Sequence, residues 1–167
     1  METNRLVIRP MTGSDQNAFL EGIADRALRL SYGFPEDMDE TVPPEIFRHF
    51  RELPLSCSLI EKASGNMVGF LLDVEAELPE SIAEALEGQG RTLAFAVFPA
   101  YQRQGYMEEA LNAYIPLRFR DPALSYIHCG HFADNEPSRR LLQKVGFQVY
   151  AKHRVRGRII IDQIRQR

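Results

Sequence analysis

The run Leu93-Ala-Phe-Ala-Val-Phe98 is apolar on both alternating faces, stops at Pro99, and is followed by a polar turn containing Gly105 and then by helical spacing. A strand apolar on both faces needs a packed layer on each side, and a helix that follows a short turn has to lie back on the sheet. The same alternation continues downstream as a helix over 105–119, a strand over 124–132, a helix over 136–145 and a closing hairpin that turns near Gly157. Upstream, Leu6 and Ile8 alternate in a first strand over 4–9, and Thr12 starts a helix whose first turn holds Asp15, with Phe19, Gly22 and Ile23 at helical spacing. The segment from Ser31 to Pro44 reads as an irregular acidic loop, and a short helix runs from Glu45 to Glu52. Ser56 to Glu61 and Met67 to Glu75 are two strands joined across Ser64-Gly65-Asn66, and Pro79 opens a further short helix toward Glu87. The predicted class is α/β (α+β), a mixed sheet with helices on both faces. No repeat, low-complexity tract or linker divides residues 1–167, so one domain is expected.

Composition narrows the function classes. With 44% hydrophobic and 26% charged residues the chain is neither disordered nor coiled coil. No stretch approaches the roughly 18 apolar residues of a membrane span, and the opening METNRLVIRPMTGSD carries charges where a signal peptide has its apolar core. A cytoplasmic protein without membrane partners is expected. Cys57 and Cys129 are then expected to be reduced core thiols, and their spacing offers no metal site. Residues 1–91 carry 8 Lys and Arg against 17 Asp and Glu, whereas residues 92–167 carry 12 against 6. This asymmetry lets the C-terminal half face an anion and the N-terminal half a cation, although ordinary solvated faces would give the same counts. The acidic balance, with no basic stripe interleaved with aromatics, argues against nucleic acid as a partner.

Chemistry concentrates after Phe98. A strand, a glycine turn and a helix start aim consecutive backbone N–H groups at one spot above the helix N-terminus, an arrangement suited to an anion. The turn lacks both the Gly-Lys-Ser/Thr of nucleotide hydrolases and the three glycines of dinucleotide sites. It resembles instead the pyrophosphate loop of the GNAT superfamily of N-acetyltransferases, Gln/Arg-x-x-Gly-x-Gly/Ala, with Gln102 and Gly105 matching and Met107 departing. Asn135-Glu-Pro-Ser138-Arg-Arg-Leu-Leu-Gln-Lys144-Val-Gly146-Phe147 is similar to a second stretch of that family, with every defined position filled. The N-terminal Arg-Leu-x-Ile-Arg-Pro, Glu109-Ala110 and the hairpin around Arg156-Gly157 are similar to one subgroup, the ribosomal-protein N-terminal acetyltransferases.

The resemblance implies a GNAT fold: a mostly antiparallel sheet of about seven strands, with the fourth and fifth splayed apart around acetyl-CoA. The pantetheine arm would then pair with Ala96, Val97 and Phe98, and the pyrophosphate would sit on Gln102, Arg103, Gln104, Gly105, Tyr106 and Met107. Asn135 would contact the pantetheine, or simply cap the helix it precedes. Ser138 would protonate or hydrogen-bond the departing thiolate, or be an ordinary first-turn serine. Arg139, Arg140 and Lys144 would meet phosphates, or solvent. A Met in place of Gly or Ala at position 107 either swings aside or weakens the cofactor.

The implied reaction is direct attack of a primary amine, a protein N-terminus or a small amine, on the acetyl group of acetyl-CoA, with no metal. An α-amino group with a pKa of ~7.7–8 needs little help to become neutral, whereas a lysine near ~10.4 needs a base. Candidates for a base are Asp73, Glu75 and Glu77 after the third strand and His128 or His131 on the fifth, each with a structural alternative. Tyr32, Phe34, Glu36 and Asp37, with Asp39 and Glu40, are candidates for holding a cationic acceptor. The alternative function is a non-catalytic acyl-CoA-binding regulator on the same fold. A monomer and a homodimer are both compatible with the sequence.

Overall fold

A computed structural model describes residues 1–76, 78 and 86–167. The helix expected from Pro79 and the candidate Glu77 lie outside the described residues. Seven strands form one sheet in the order β1-β2-β3-β4-β5-β7-β6. They are β1 (Leu6–Pro10), β2 (Ser56–Glu61), β3 (Met67–Glu75), β4 (Gln89–Val97), β5 (Leu124–Phe132), β6 (Gln148–Val155) and β7 (Arg158–Gln166). The flanking helices are α1 (Gln16–Ile23), α2 (Arg26–Tyr32), α3 (Val42–Glu52), α4 (Tyr106–Arg118) and α5 (Glu136–Lys144). The expected mixed sheet is therefore present, and its strand bounds for β2, β3 and β5 are those read from the sequence.

The acidic loop is shorter than expected, for local reasons. Asp25 caps α2 by accepting from the Leu28 N–H at 2.7 Å, so helix runs through Ser31 and Tyr32 until Gly33 ends it at φ 96°. α3 begins at Val42 because Pro43 and Pro44 occupy its first turn, where no N–H is required.

Contacts group the chain into two compact units: Met1–Leu72 with Phe95–Ala110, and Asp73–Ala94 with Leu111–Arg167. In the first, β1 pairs antiparallel with β2, and β2 with β3. Leu6, Ile8, Phe19, Phe47, Leu59 and Phe70 are buried, and the Phe19 ring lies 5.3 Å from Phe47 and 5.4 Å from Phe70. Gly69 is required on β3, because a Cβ there would lie 2.2 Å from the Ala96 carbonyl oxygen. In the second unit β4 pairs in parallel with β5 over Gln89–Thr92, and β7 pairs antiparallel with β5 and β6. The parallel ladder ends at Thr92 opposite His128, before β4 ends at Val97, consistent with a splay. Leu93, Leu111, Ile115, Ile127, Leu142 and Phe147 are buried in this unit. Cys57 and Cys129 are not joined in a disulfide, and burial pushes the Cys129 thiol up.

Asp15 is the buried charge of the first unit. Its carboxylate takes both guanidinium arms of Arg9 (2.6 and 2.7 Å), the Thr12 N–H (2.8 Å) and the Ser58 hydroxyl (2.8 Å). Burial alone would raise its pKa; these donors outweigh burial and bring it down to about 2. A carboxyl depressed on folding contributes stability at pH values above its unfolded pKa, and that stability is lost as the pH falls through the folded value. The contribution is about 2 kcal/mol. Asp15→Asn should therefore lower the urea midpoint at pH 6, and the gap from the unmodified protein should narrow as the pH approaches 2.

Candidate functional site

The loop between β4 and α4 is built in three steps. A single turn of 3-10 helix, Pro99–Tyr101, follows β4, and Arg103 and Gly105 then take left-handed conformations at φ 60° and 80°. Only glycine adopts the second without strain. The Gln102 side chain donates to the Val97 carbonyl at 3.1 Å and that of Gln104 to the Ala100 carbonyl at 3.2 Å, so both glutamines tie the loop to itself. Among the described residues, the backbone N–H groups of Arg103, Gln104, Gly105, Tyr106 and Met107 donate to no carbonyl or side chain. Consecutive N–H groups at a helix start with no partner form a nest for an anion.

Arg5 and Glu109 hold this loop. Glu109 accepts from the Arg5 backbone N–H (2.7 Å), the Arg5 Nε (2.7 Å) and the Thr3 hydroxyl (2.5 Å). Arg5 then donates through Nη1 to the Gln104 carbonyl at 2.8 Å and lies 4.5 Å over the Tyr106 ring, whose hydroxyl bonds Glu61. Burial works to raise the Glu109 pKa, and the Thr3 and Arg5 donors overcome it, so the carboxylate is held ionised. Sequence reasoning noted both residues as subgroup similarities and gave them no task. Their roles appear only when the N-terminus and α4 are brought together. The Met107 side chain is buried, 5% exposed, so the thioether packs inward rather than across the loop. Ala96 and Phe98 on the preceding strand are buried and Val97 is half-buried.

In the second unit, the Asn135 side chain accepts from the Ser138 N–H at 3.2 Å and caps α5, with Pro137 in the first turn. Ser138 is half-buried, and no described residue bonds its hydroxyl. Arg139 and Arg140 both bind Glu136, at 2.7 Å, and hold its carboxyl down to about 2. That chelation takes two of the three expected phosphate cations into a surface cluster. Lys144 is exposed at the end of α5, where with Asn112, Gln148, Tyr150 and Arg165 it lines an open cleft of about 660 Å³.

Three of the expected bases are engaged. Asp73 is buried; it accepts from Arg91 Nε (2.5 Å) and the Tyr114 hydroxyl (2.9 Å) and forms an ion pair with Arg118 Nε (2.6 Å). His131 lies between the Phe132 carbonyl and the Gln163 side chain, each at 2.8 Å. His128 lies between Thr92 Oγ1 (3.1 Å) and Asp162 Oδ1 (3.0 Å). Glu75 is exposed at the end of β3. Tyr32 and Phe34 stack at 4.6 Å beside Phe50, and burial pushes the Tyr32 hydroxyl up. Glu36 pairs with Arg26 at 2.6 Å and Asp39 bonds the Thr41 N–H at 2.8 Å, while Asp37 is exposed.

A family profile described as "Acetyltransferase (GNAT) domain" matches residues 5–148. The chain belongs to the GNAT acetyltransferase family. GNAT acetyltransferases use acetyl-CoA as donor. An uncharacterized N-acetyltransferase, YoaA, of Bacillus subtilis (strain 168) is 27% identical over 151 residues, covering 89% of this chain and 82% of that protein. A GNAT-family acetyltransferase from Bacillus anthracis superposes with a TM-score of 0.81 at 16% identity, covering 99% of this chain and 97% of that one. The ribosomal-protein-S5-alanine acetyltransferase of Vibrio fischeri superposes with a TM-score of 0.73 at 16% identity over 99% of this chain and 95% of that one. Among the described residues no helix is long and apolar enough to cross a membrane, and no group of three His, Cys, Asp or Glu is arranged for a metal.

If Glu109 fixes the GNAT loop, Glu109→Ala should cost about 2 kcal/mol of stability, the scale of lost charge-assisted hydrogen bonds. It should also weaken acetyl-CoA binding about tenfold. Urea unfolding reads the first and calorimetric titration the second.

Proposed function

We propose that this chain is an acetyl-CoA-dependent N-acetyltransferase that moves the acetyl group to a primary amine by direct attack in a ternary complex. The observation that carries the reading is the unbroken set of free N–H groups from Arg103 to Met107 at the start of α4, with the Met107 side chain turned inward. Acetyl-CoA supplies an activated acetyl thioester. The nest would hold its pyrophosphate through backbone donors and the N-terminal end of the α4 dipole. The backbone of Ala96, Val97 and Phe98 would pair with the pantetheine arm. Asn135 sets the first turn of α5, and that turn presents the Ser138 hydroxyl, free among the described residues, to donate a hydrogen bond to the leaving sulfur.

The acceptor is proposed to be an amine that enters cationic. The stacked Tyr32 and Phe34 and the exposed Asp37 offer a ring surface and a carboxylate to such a group. Glu36 is held by Arg26 and would act through the local field. A ribosomal protein N-terminus is one acceptor of this kind, suggested by the similarity to the S5-alanine enzyme.

Titration calorimetry with acetyl-CoA, followed by a free-thiol assay over Ser- and Ala-starting peptides and then polyamines, tests the reading. The unmodified protein should bind saturably, and Met107→Ala should change the affinity less than threefold. Ser138→Ala should lower kcat about tenfold or more while leaving acetyl-CoA affinity unchanged. Saturable binding with no turnover on any amine would favour the acyl-CoA-binding regulator instead.

A further inference from the structure

β6 is the last strand of the sheet, and among the described residues it pairs with β7 alone. No further backbone hydrogen bond among those residues reaches Gln148–Val155. One side of the strand therefore presents N–H and carbonyl groups in the pattern that another strand pairs with. The register shifts between Val149 and Ala151, and beyond that bulge 151–155 are five regularly paired residues, the length of a short strand.

The side chains along this edge are basic and apolar. Val149, Lys152 and Arg154 lie opposite Gln163, Ile161 and Ile159 on one face, and Ala151, His153 and Val155 lie opposite Asp162, Ile160 and Arg158 on the other. Lys152 and Arg154 are exposed, as is Arg156 at the turn into β7, and among the described residues none of the three pairs with a carboxylate. From Pro137 to Ile161 the chain has seven Lys and Arg and no Asp or Glu. The carboxylates that flank this stretch are occupied: Asp162 by His128 and His153, Asp134 by Arg158, and Glu136 by Arg139 and Arg140. Charges on an edge strand ordinarily keep other strands away. Here, however, Val149 is 50% exposed, Val155 39% and Ile159, opposite Arg154, 42%. Apolar side chains so placed do not guard an edge; they offer contact to a strand that brings the complementary charge. At its start β6 also walls the open cleft of about 660 Å³, through Gln148, Val149 and Tyr150. Lys144 and Arg165 line the same cleft and no carboxylate does, and Arg165 is fixed there by donating to the Val145 carbonyl at 2.6 Å.

We propose that the free edge of β6 is a docking site for an extended acidic segment of another protein, which adds to the sheet as a further strand. Acidic side chains two residues apart in that segment face Lys152 and Arg154, and the apolar residues between them cover Ala151 and Val155. A carboxylate further along reaches Lys144 and Arg165 in the cleft. The site lies within the second unit and does not depend on acetyl transfer. A second copy of this chain is a poorer occupant, because pairing β6 with itself puts the Lys152 and Arg154 of both copies on one short ladder. A nucleic acid has the charge, but it offers no alternating donors and acceptors to the strand edge and no side chains to the valines.

Fluorescence anisotropy with the full chain and a labelled, end-blocked Glu-Val-Glu-Val-Glu-Val peptide tests the site, and saturable binding is expected. A Lys-Val peptide of the same length should bind about tenfold more weakly or worse, a difference of about 1.4 kcal/mol. The Glu-Val peptide methylated on alternate backbone nitrogens should lose about as much, since it keeps the charge and cannot pair along the edge. The double variant Lys152→Glu with Arg154→Glu should lose the Glu-Val peptide and gain the Lys-Val peptide, an exchange that damage to the fold would not produce. No saturable binding, equal affinity for the methylated peptide, or unchanged affinity in the double variant would overturn the site. So would a dimer in analytical ultracentrifugation that excludes the peptide, or tighter binding of a single-stranded oligonucleotide than of the peptide.

Discussion

The Glu109 carboxylate is the group on which the first unit's chemistry depends. It collects a hydroxyl, a backbone N–H and a guanidinium from the N-terminal segment, and Arg5 carries the connection on to the Gln104 carbonyl. A loop with two left-handed residues gives up backbone pairing and has to be held from outside. The hold reaches the loop through a carbonyl, so the N–H groups of Arg103 to Met107 remain unspent. At position 107, where the chain departs from the family pattern, the thioether is buried.

The second unit uses carboxylates in two ways. Asp73 accepts from Arg91 and Tyr114 and pairs electrostatically with Arg118, which ties β3, β4 and α4 together. Removing that carboxylate would strand two arginines, the costly way to break a buried ion pair. Asp162 is saturated by imidazoles instead, and an imidazole passes its polarity to its far nitrogen. One of those nitrogens is filled by Thr92 and the other is open. Equal burial thus gives a salt-bridged clamp at one aspartate and a pair of hydrogen-bonded imidazoles at the other, according to what each carboxylate touches.

Much of this was legible in the residues. Alternation placed β2, β3 and β5, the proline and glycine at 99 and 105 placed the loop, and Asn135 with Pro137 announced the start of α5. Local signals misjudged the segment after Ser31, because acidity and prolines suggested loop where the Asp25 cap and the first-turn prolines extend helices from both sides. The surroundings of the candidate bases were hidden for a different reason. Asp73, His128 and His131 look available in the sequence, yet each meets partners on other strands or on α4, between 18 and 45 residues away in the chain.

The sequence by itself determined most elements, the glycine turn after β4 and the family, because propensity, capping and glycine geometry act within a few residues. Only the tertiary structure decided which titratable groups are spent and which are open. That Arg5 supports the loop, that Arg139 and Arg140 bind Glu136 and that His153 faces Asp162 follow from hydrogen-bond saturation in three dimensions. A side chain's chemistry is set by the partners burial leaves it, and β-sheet register brings those partners from distant parts of the chain.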